Sequence, residues 1–97
     1  MGMFDYVKVE ENSLGIPAGN YQTKALECYC DEYLINKDLE IIHVSSSFVR
    51  NLPKKETFSK PIRLLNRDTG ENVYVKVYDG VVEEIITEED YKLIYHC

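Results

Sequence analysis

Tryptophan is absent from this 97-residue chain, and proline occurs only three times. No stretch reaches the ~20 apolar residues that a membrane-spanning helix needs, so no membrane role is expected. No glycine-rich phosphate loop is present, because Gly15, Gly19, Gly70 and Gly80 each fall in a separate turn. The cysteines Cys28, Cys30 and Cys97 are odd in number. Met1-Gly2-Met3-Phe4-Asp5 lacks the basic start and apolar run of a signal peptide. Tyr6 also stands where a myristoylation signal wants Ser or Thr. A cytoplasmic protein with free thiols is the expectation. There is no internal repeat and no low-complexity tract.

Basic charge is also short. The net charge is −6, and this acidity speaks against direct nucleic-acid binding, since the phosphate backbone would be repelled before any base was read. The imbalance is uneven. Residues 50–67 carry Arg50, Lys54, Lys55, Lys60, Arg63 and Arg67 against Glu56 alone, a candidate basic patch set against a solvated loop.

What is abundant points to strands. Eight tyrosines accompany many Val and Ile in a chain that is 44% hydrophobic, which leans towards β-structure. The length suits one domain, 1–97, and is too short for two separate cores. Residues 3–10 read as a first strand, and 10–20 as a loop. Residues 22–35 read as a strand with Leu26, Cys28, Cys30 and Leu34 on one face and Tyr29, Asp31, Tyr33 and Ile35 on the other; a helix is the competing reading. Asn36-Lys37-Asp38 turns the chain into a returning strand over 39–44. Residues 45–60 form a long connection that is either functional or hides a short element. Pro61 to Asn66 is a short strand, followed by a turn over 67–70.

The clearest element is a hairpin from Asn72 to Ile86. Asp79-Gly80 favours a type I′ turn, whose twist matches that of the flanking strands. A two-residue loop sets Tyr78 opposite Val81, Val77 opposite Val82, Lys76 opposite Glu83 and Tyr74 opposite Ile85. Val73, Val75, Val77, Val82 and Ile86 then form a core face. Glu84 falls opposite Val75, a misfit that calls for a solvent rim or a bulge. Thr87-Glu88-Glu89-Asp90 resembles a helix start, with a last strand as the alternative. The expected fold is mainly β, or α+β with one short C-terminal helix, as an antiparallel sheet built from hairpins.

Chemistry is sparse. Nucleophilic catalysis needs Cys or Ser beside a positioned base, and neither His43 nor His96 has a readable acidic orienter. Structural zinc sites present cysteine pairs two to four residues apart, often on turns. Cys28-x-Cys30 on a strand therefore reads as buried, inert thiols, with no metal and no cofactor. A non-catalytic protein is expected. Its candidate partner surface is Tyr74, Tyr78, Tyr29 and Tyr33 with the acids Glu83, Glu84, Glu88, Glu89 and Asp90. A second small core competes for the tyrosines, and a solvated edge strand and helix start for the acids.

Met1-Gly2-Met3-Phe4-Asp5-Tyr6, Gln22-Thr23-Lys24-Ala25-Leu26-Glu27-Cys28 and Glu32-Tyr33 together resemble a family of small uncharacterised bacteriophage and prophage proteins. These open M-G-M-F-D and carry an F-Q-T-K segment; Tyr21 replaces the Phe here. The resemblance covers about half the chain through short motifs. Some relatives carry a cysteine pair between the two motifs, whereas residues 10–20 here hold none. It implies a phage or prophage origin and the bacterial cytoplasm, and it brings no activity. The expected function is a non-catalytic phage or prophage accessory protein that binds a host or phage macromolecule, with counter-defence as one role. Two alternatives stand beside it: a small-molecule or nucleotide binder using residues 50–67 and nearby tyrosines, and a minor structural or assembly protein, including a homo-oligomer through an exposed strand edge.

Overall fold

The computed structural model describes residues 4–26, 30–46 and 50–95. They form β1 (Asp5–Val9), β2 (Gly19–Thr23), β3 (Glu32–Ile35), β4 (Ile41–Ser45), β5 (Lys54–Lys55), β6 (Pro61–Asn66), β7 (Asn72–Tyr78), β8 (Val81–Ile86) and α1 (Glu88–Tyr95). All eight strands join one sheet in the order β5-β4-β3-β1-β2-β6-β7-β8. The fold is thus mainly β with a short C-terminal helix, as the composition and hairpin signals predict.

One pairing departs from the all-hairpin picture. β1 pairs antiparallel with β2 on one side and parallel with β3 on the other. Strand boundaries shift as well. β2 begins at Gly19, inside the span read as a loop, and residues 24–26 and 30–31 separate it from β3. The connection over 45–60 contains the two-residue β5, paired to β4 through Ile42 and His43.

The sheet curls until its ends meet. Glu40 bridges Val81, Ile41 N–H donates to the Gly80 carbonyl at 2.8 Å, and Val82 N–H donates to the Leu39 carbonyl at 2.8 Å. The segment after β5 joins the same place, with Glu56 N–H on the Ile41 carbonyl and Gly80 N–H on the Phe58 carbonyl, both at 2.8 Å. These bonds close the sheet over this stretch, removing part of its open edge.

Alternation then sorts the side chains. Val7, Val9, Tyr21, Tyr33, Ile35, Ile41, Ile62, Leu64, Val75, Val77 and Val82 are buried in one cluster, while neighbours such as Lys8, Glu32, Arg63 and Lys76 are exposed. Three asparagines organise the connections by accepting main-chain N–H groups. Asn12 Oδ1 accepts from Leu14, Gly15 and Ile16, Asn36 Oδ1 from Asp38 and Glu40, and Asn66 Oδ1 from Asp68 and Thr69. Thr87 Oγ1 accepts the Asp90 N–H at 3.0 Å, so the helix start read from the sequence is a true N-cap.

Candidate functional site

The β7–β8 hairpin turns at Asp79 and Gly80, both with positive φ (50° and 73°), as a type I′ turn requires. Its tip has the expected pairs, Tyr78–Val81 and Val77–Val82. Beyond them the register shifts by one residue: Lys76 faces Glu84, Val75 faces Ile85 and Tyr74 faces Ile86. The expected Lys76–Glu83 and Tyr74–Ile85 pairs are therefore corrected. Glu83 is the extra residue of a bulge, and the bulge removes the misfit of Glu84 against Val75. Ile86 consequently shares the outer side with Tyr74 instead of joining the valine face.

The candidate partner surface divides. Tyr33 is not on it: β3 lies between β1 and β4, and the ring faces inward, buried and stacked on His43 with centroids 4.3 Å apart. Tyr74 is half-buried against Tyr91 of α1, centroids 5.0 Å apart, so the helix covers part of the tyrosine face. Tyr78 remains 63% exposed. Tyr29 lies outside the described residues. Glu83, Glu84, Glu88, Glu89 and Asp90 are all exposed. Lys92 approaches Glu88 at 3.3 Å, a surface i,i+4 pair of small energetic weight.

The six basic residues differ in what they touch. Lys55 Nζ donates to the Asp79 carbonyl at 2.7 Å and the Glu56 carbonyl at 3.2 Å. Lys60 Nζ donates to the Ala25 carbonyl and lies 5.6 Å from the Phe58 ring centroid. Arg67 lies over the Tyr6 ring, Arg63 projects from the outer face of β6, and Arg50 and Lys54 are exposed. Two of these lysines thus secure the fold by reaching main-chain carbonyls from other segments.

A buried polar cluster escaped the sequence reading. Asp5, Asp31 and His43 are each at most 3% exposed. His43 Nε2 donates to Asp31 Oδ2 at 2.9 Å, while Nδ1 lies 3.3 Å from Glu56 Oε1. Asp5 Oδ1 accepts the Asp31 main-chain N–H at 3.0 Å. His43 thus has two acidic orienters, contrary to expectation, one from the approach to β3 and one from the segment after β5. The available signal was that Asp31 alternates with Tyr33 and Ile35 on an inward face. Burial of the imidazole favours a holding role, since substrate has no open approach to it.

Cys30 is exposed at φ 60°, which corrects the expectation of a buried thiol. Cys28, His96 and Cys97 lie outside the described residues. Among the described residues, no group of three or more His, Cys, Asp or Glu is placed to hold a metal ion. Nor is any helix among them long and apolar enough to cross a membrane.

Tyr21 is fully buried, its hydroxyl donating to the Pro17 carbonyl at 2.7 Å. Burial pushes the phenol above its ordinary value of 10.0; the Asn66 side chain pulls it back, and the Glu71 charge pushes it further up. Ionisation therefore favours the unfolded chain. The native advantage is intact below pH 10 and is lost as pH rises from there through the raised native value. Urea unfolding at pH 9 and pH 11 should show a smaller alkaline loss in Tyr21→Phe than in the parent. Equal losses would remove Tyr21 as the cause.

An open cleft of about 470 Å³ lies on β3, β1 and β2, lined by Tyr6, Lys8, Asn20, Glu32 and Arg67 with Val7, Tyr21 and Tyr33 beneath. Two strands that the sequence reading did not pair, β1 and β3, supply most of it. Set against protein-family models, curated proteins and solved structures, the chain matches none.

Proposed function

We propose that this is a non-catalytic accessory protein of phage or prophage origin that binds a protein partner in the bacterial cytoplasm. The observation that carries this reading is the acidic β8–α1 margin. A bulge leaves Glu83 and Glu84 in tandem on the terminal strand of the sheet, and exposed Glu88, Glu89 and Asp90 follow on the first turn of α1. Bulges re-aim side chains at sheet edges, and concentrated charge of one sign steers a complementary partner. Lys76 and Lys92 are the nearby basic residues in sequence, so the margin stays strongly negative. Pairing two such margins would set like charges together, which favours a basic partner over a second copy of the chain. Nucleic acid is disfavoured for the same reason. A phage or prophage origin, which the resemblance implies, is compatible with a counter-defence role for that partner binding.

The test compares the parent chain with a Glu83→Gln, Glu84→Gln, Glu88→Gln, Glu89→Gln variant, each immobilised and exposed to bacterial lysate. A partner held by this margin should be retained at low salt, released as salt rises, and held about tenfold less well by the variant, equivalent to about 1.4 kcal/mol. Circular dichroism checks that the variant is folded. Equal retention by both chains, or none by either, would sink the reading.

A further inference from the structure

Strand register assembles the outer cleft. Tyr6 stands opposite Glu32 across β1 and β3, and Lys8 opposite Asn20 across β1 and β2. Asp5, Val7 and Val9 take the inward positions of β1, so Tyr6 and Lys8 face outward. Arg67 arrives from the turn after β6. Its main-chain N–H donates to the Asn20 carbonyl at 3.0 Å, and its guanidinium lies 5.1 Å from the Tyr6 ring centroid. Phe4 in turn meets Tyr6 edge-on at 5.2 Å. Arg67 is thus placed by backbone and ring.

The charges make this cleft distinctive. The chain has 17 acidic side chains against 11 Lys and Arg, yet among the described residues no carboxylate lies within 4.0 Å of Lys8 or Arg67. Glu32, in the same cleft, has no basic group that close among the described residues either. Solvation accounts for any one exposed charge. Two cations and a carboxylate, none with an opposite charge within 4.0 Å among the described residues, line one concavity, a lining that suits a ligand carrying both an anionic group and hydrogen-bond donors. Guanidinium and ammonium together suit a phosphate, Glu32 accepts from an amino group, and the Asn20 amide both donates and accepts. A volume of about 470 Å³ falls within the ~300–1,000 Å³ of small-molecule sites and exceeds what a lone inorganic anion fills.

We propose that this cleft binds a nucleoside monophosphate, with Lys8 and Arg67 taking the phosphate and Glu32 accepting from the amino group of the base. The site is separate from the acidic β8–α1 margin, and neither reading depends on the other.

Amide NMR titrations of the full chain with adenosine monophosphate, inorganic phosphate and adenosine test this in separate arms. The monophosphate should give saturable shifts centred on residues 6–8, 20, 32 and 67, with phosphate and adenosine each binding at least about tenfold more weakly. Lys8→Ala should weaken the monophosphate about tenfold at an unchanged thermal midpoint, and Arg67→Ala about tenfold with a midpoint a few degrees lower, from the lost contact with the Tyr6 ring. Glu32→Gln should weaken the monophosphate and leave phosphate unaffected. Absence of saturable shifts at millimolar monophosphate, shifts centred elsewhere, or undiminished binding by the variants would overturn the site. Phosphate binding as tightly as the monophosphate would overturn the ligand class.

Discussion

A Gly80→Ala variant should lose at least about 3 kcal/mol of folding stability, a large share of the ~5–15 kcal/mol that holds a typical domain folded. A Cβ at this position would lie 1.7 Å from the Glu56 carbonyl oxygen and 2.5 Å from its carbon. Those are main-chain atoms, and the segment is fixed by the Glu56–Ile41 and Gly80–Phe58 bonds, so relief requires breaking the closure of the sheet. The φ of 73° adds the cost of a left-handed alanine, about 1 kcal/mol. Gly70 is the control: its φ is 78°, yet an added Cβ meets nothing within 4 Å. Gly70→Ala should cost only the conformational part, about 1 kcal/mol. Urea midpoints of the two variants separate the effects. Similar losses would show that backbone conformation, and not the close approach to Glu56, sets the cost.

His43→Leu is expected to cost about 3–5 kcal/mol, because it removes the partner of a buried carboxylate. Asp31 is 1% exposed, its Oδ1 has no hydrogen-bond partner among the described residues, and its Oδ2 relies on the imidazole. Stacking on Tyr33 is lost too. Asp31→Leu should also destabilise strongly, by stranding the imidazole with Glu56 alone. The double variant exchanges both polar partners for apolar ones and should cost clearly less than the sum of the singles. Chemical denaturation of all four proteins completes the cycle. Strict additivity would mean that the two side chains are energetically independent.

The parts of the fold that were legible are those governed by neighbours in the chain. Asp79-Gly80 announces its turn, Pro61–Asn66 its strand, and Thr87 with three following acids its helix. Asn36 likewise marks the β3–β4 turn. What escaped the sequence depends on distant partners. β2 sits beside glycine and proline that read as loop, and it becomes a strand by pairing with β1 and β6. β5 exists for two residues only because β4 offers an edge. The same limit applies to the candidate sites. The acids of the β8–α1 margin are contiguous and visible, and the misfit of Glu84 already signalled a bulge. His43, Asp31 and Glu56, or Lys8, Glu32 and Arg67, are far apart in sequence and meet only through strand order.

That order has a consequence for synthesis on the ribosome. Of these eight strands β1 is made first and ends up in the middle of the sheet, so the other seven add outward on one flank or the other. β2 and β3 take its two sides, β4 extends one flank, and β6 to β8 extend the other. The seam between residues 39–41 and 80–82 can form only after the start of β8 is out. Until then the growing flanks expose unpaired main chain, the feature that makes β-rich nascent chains prone to join one another. The last hairpin therefore acts as the clasp that ends this vulnerable period.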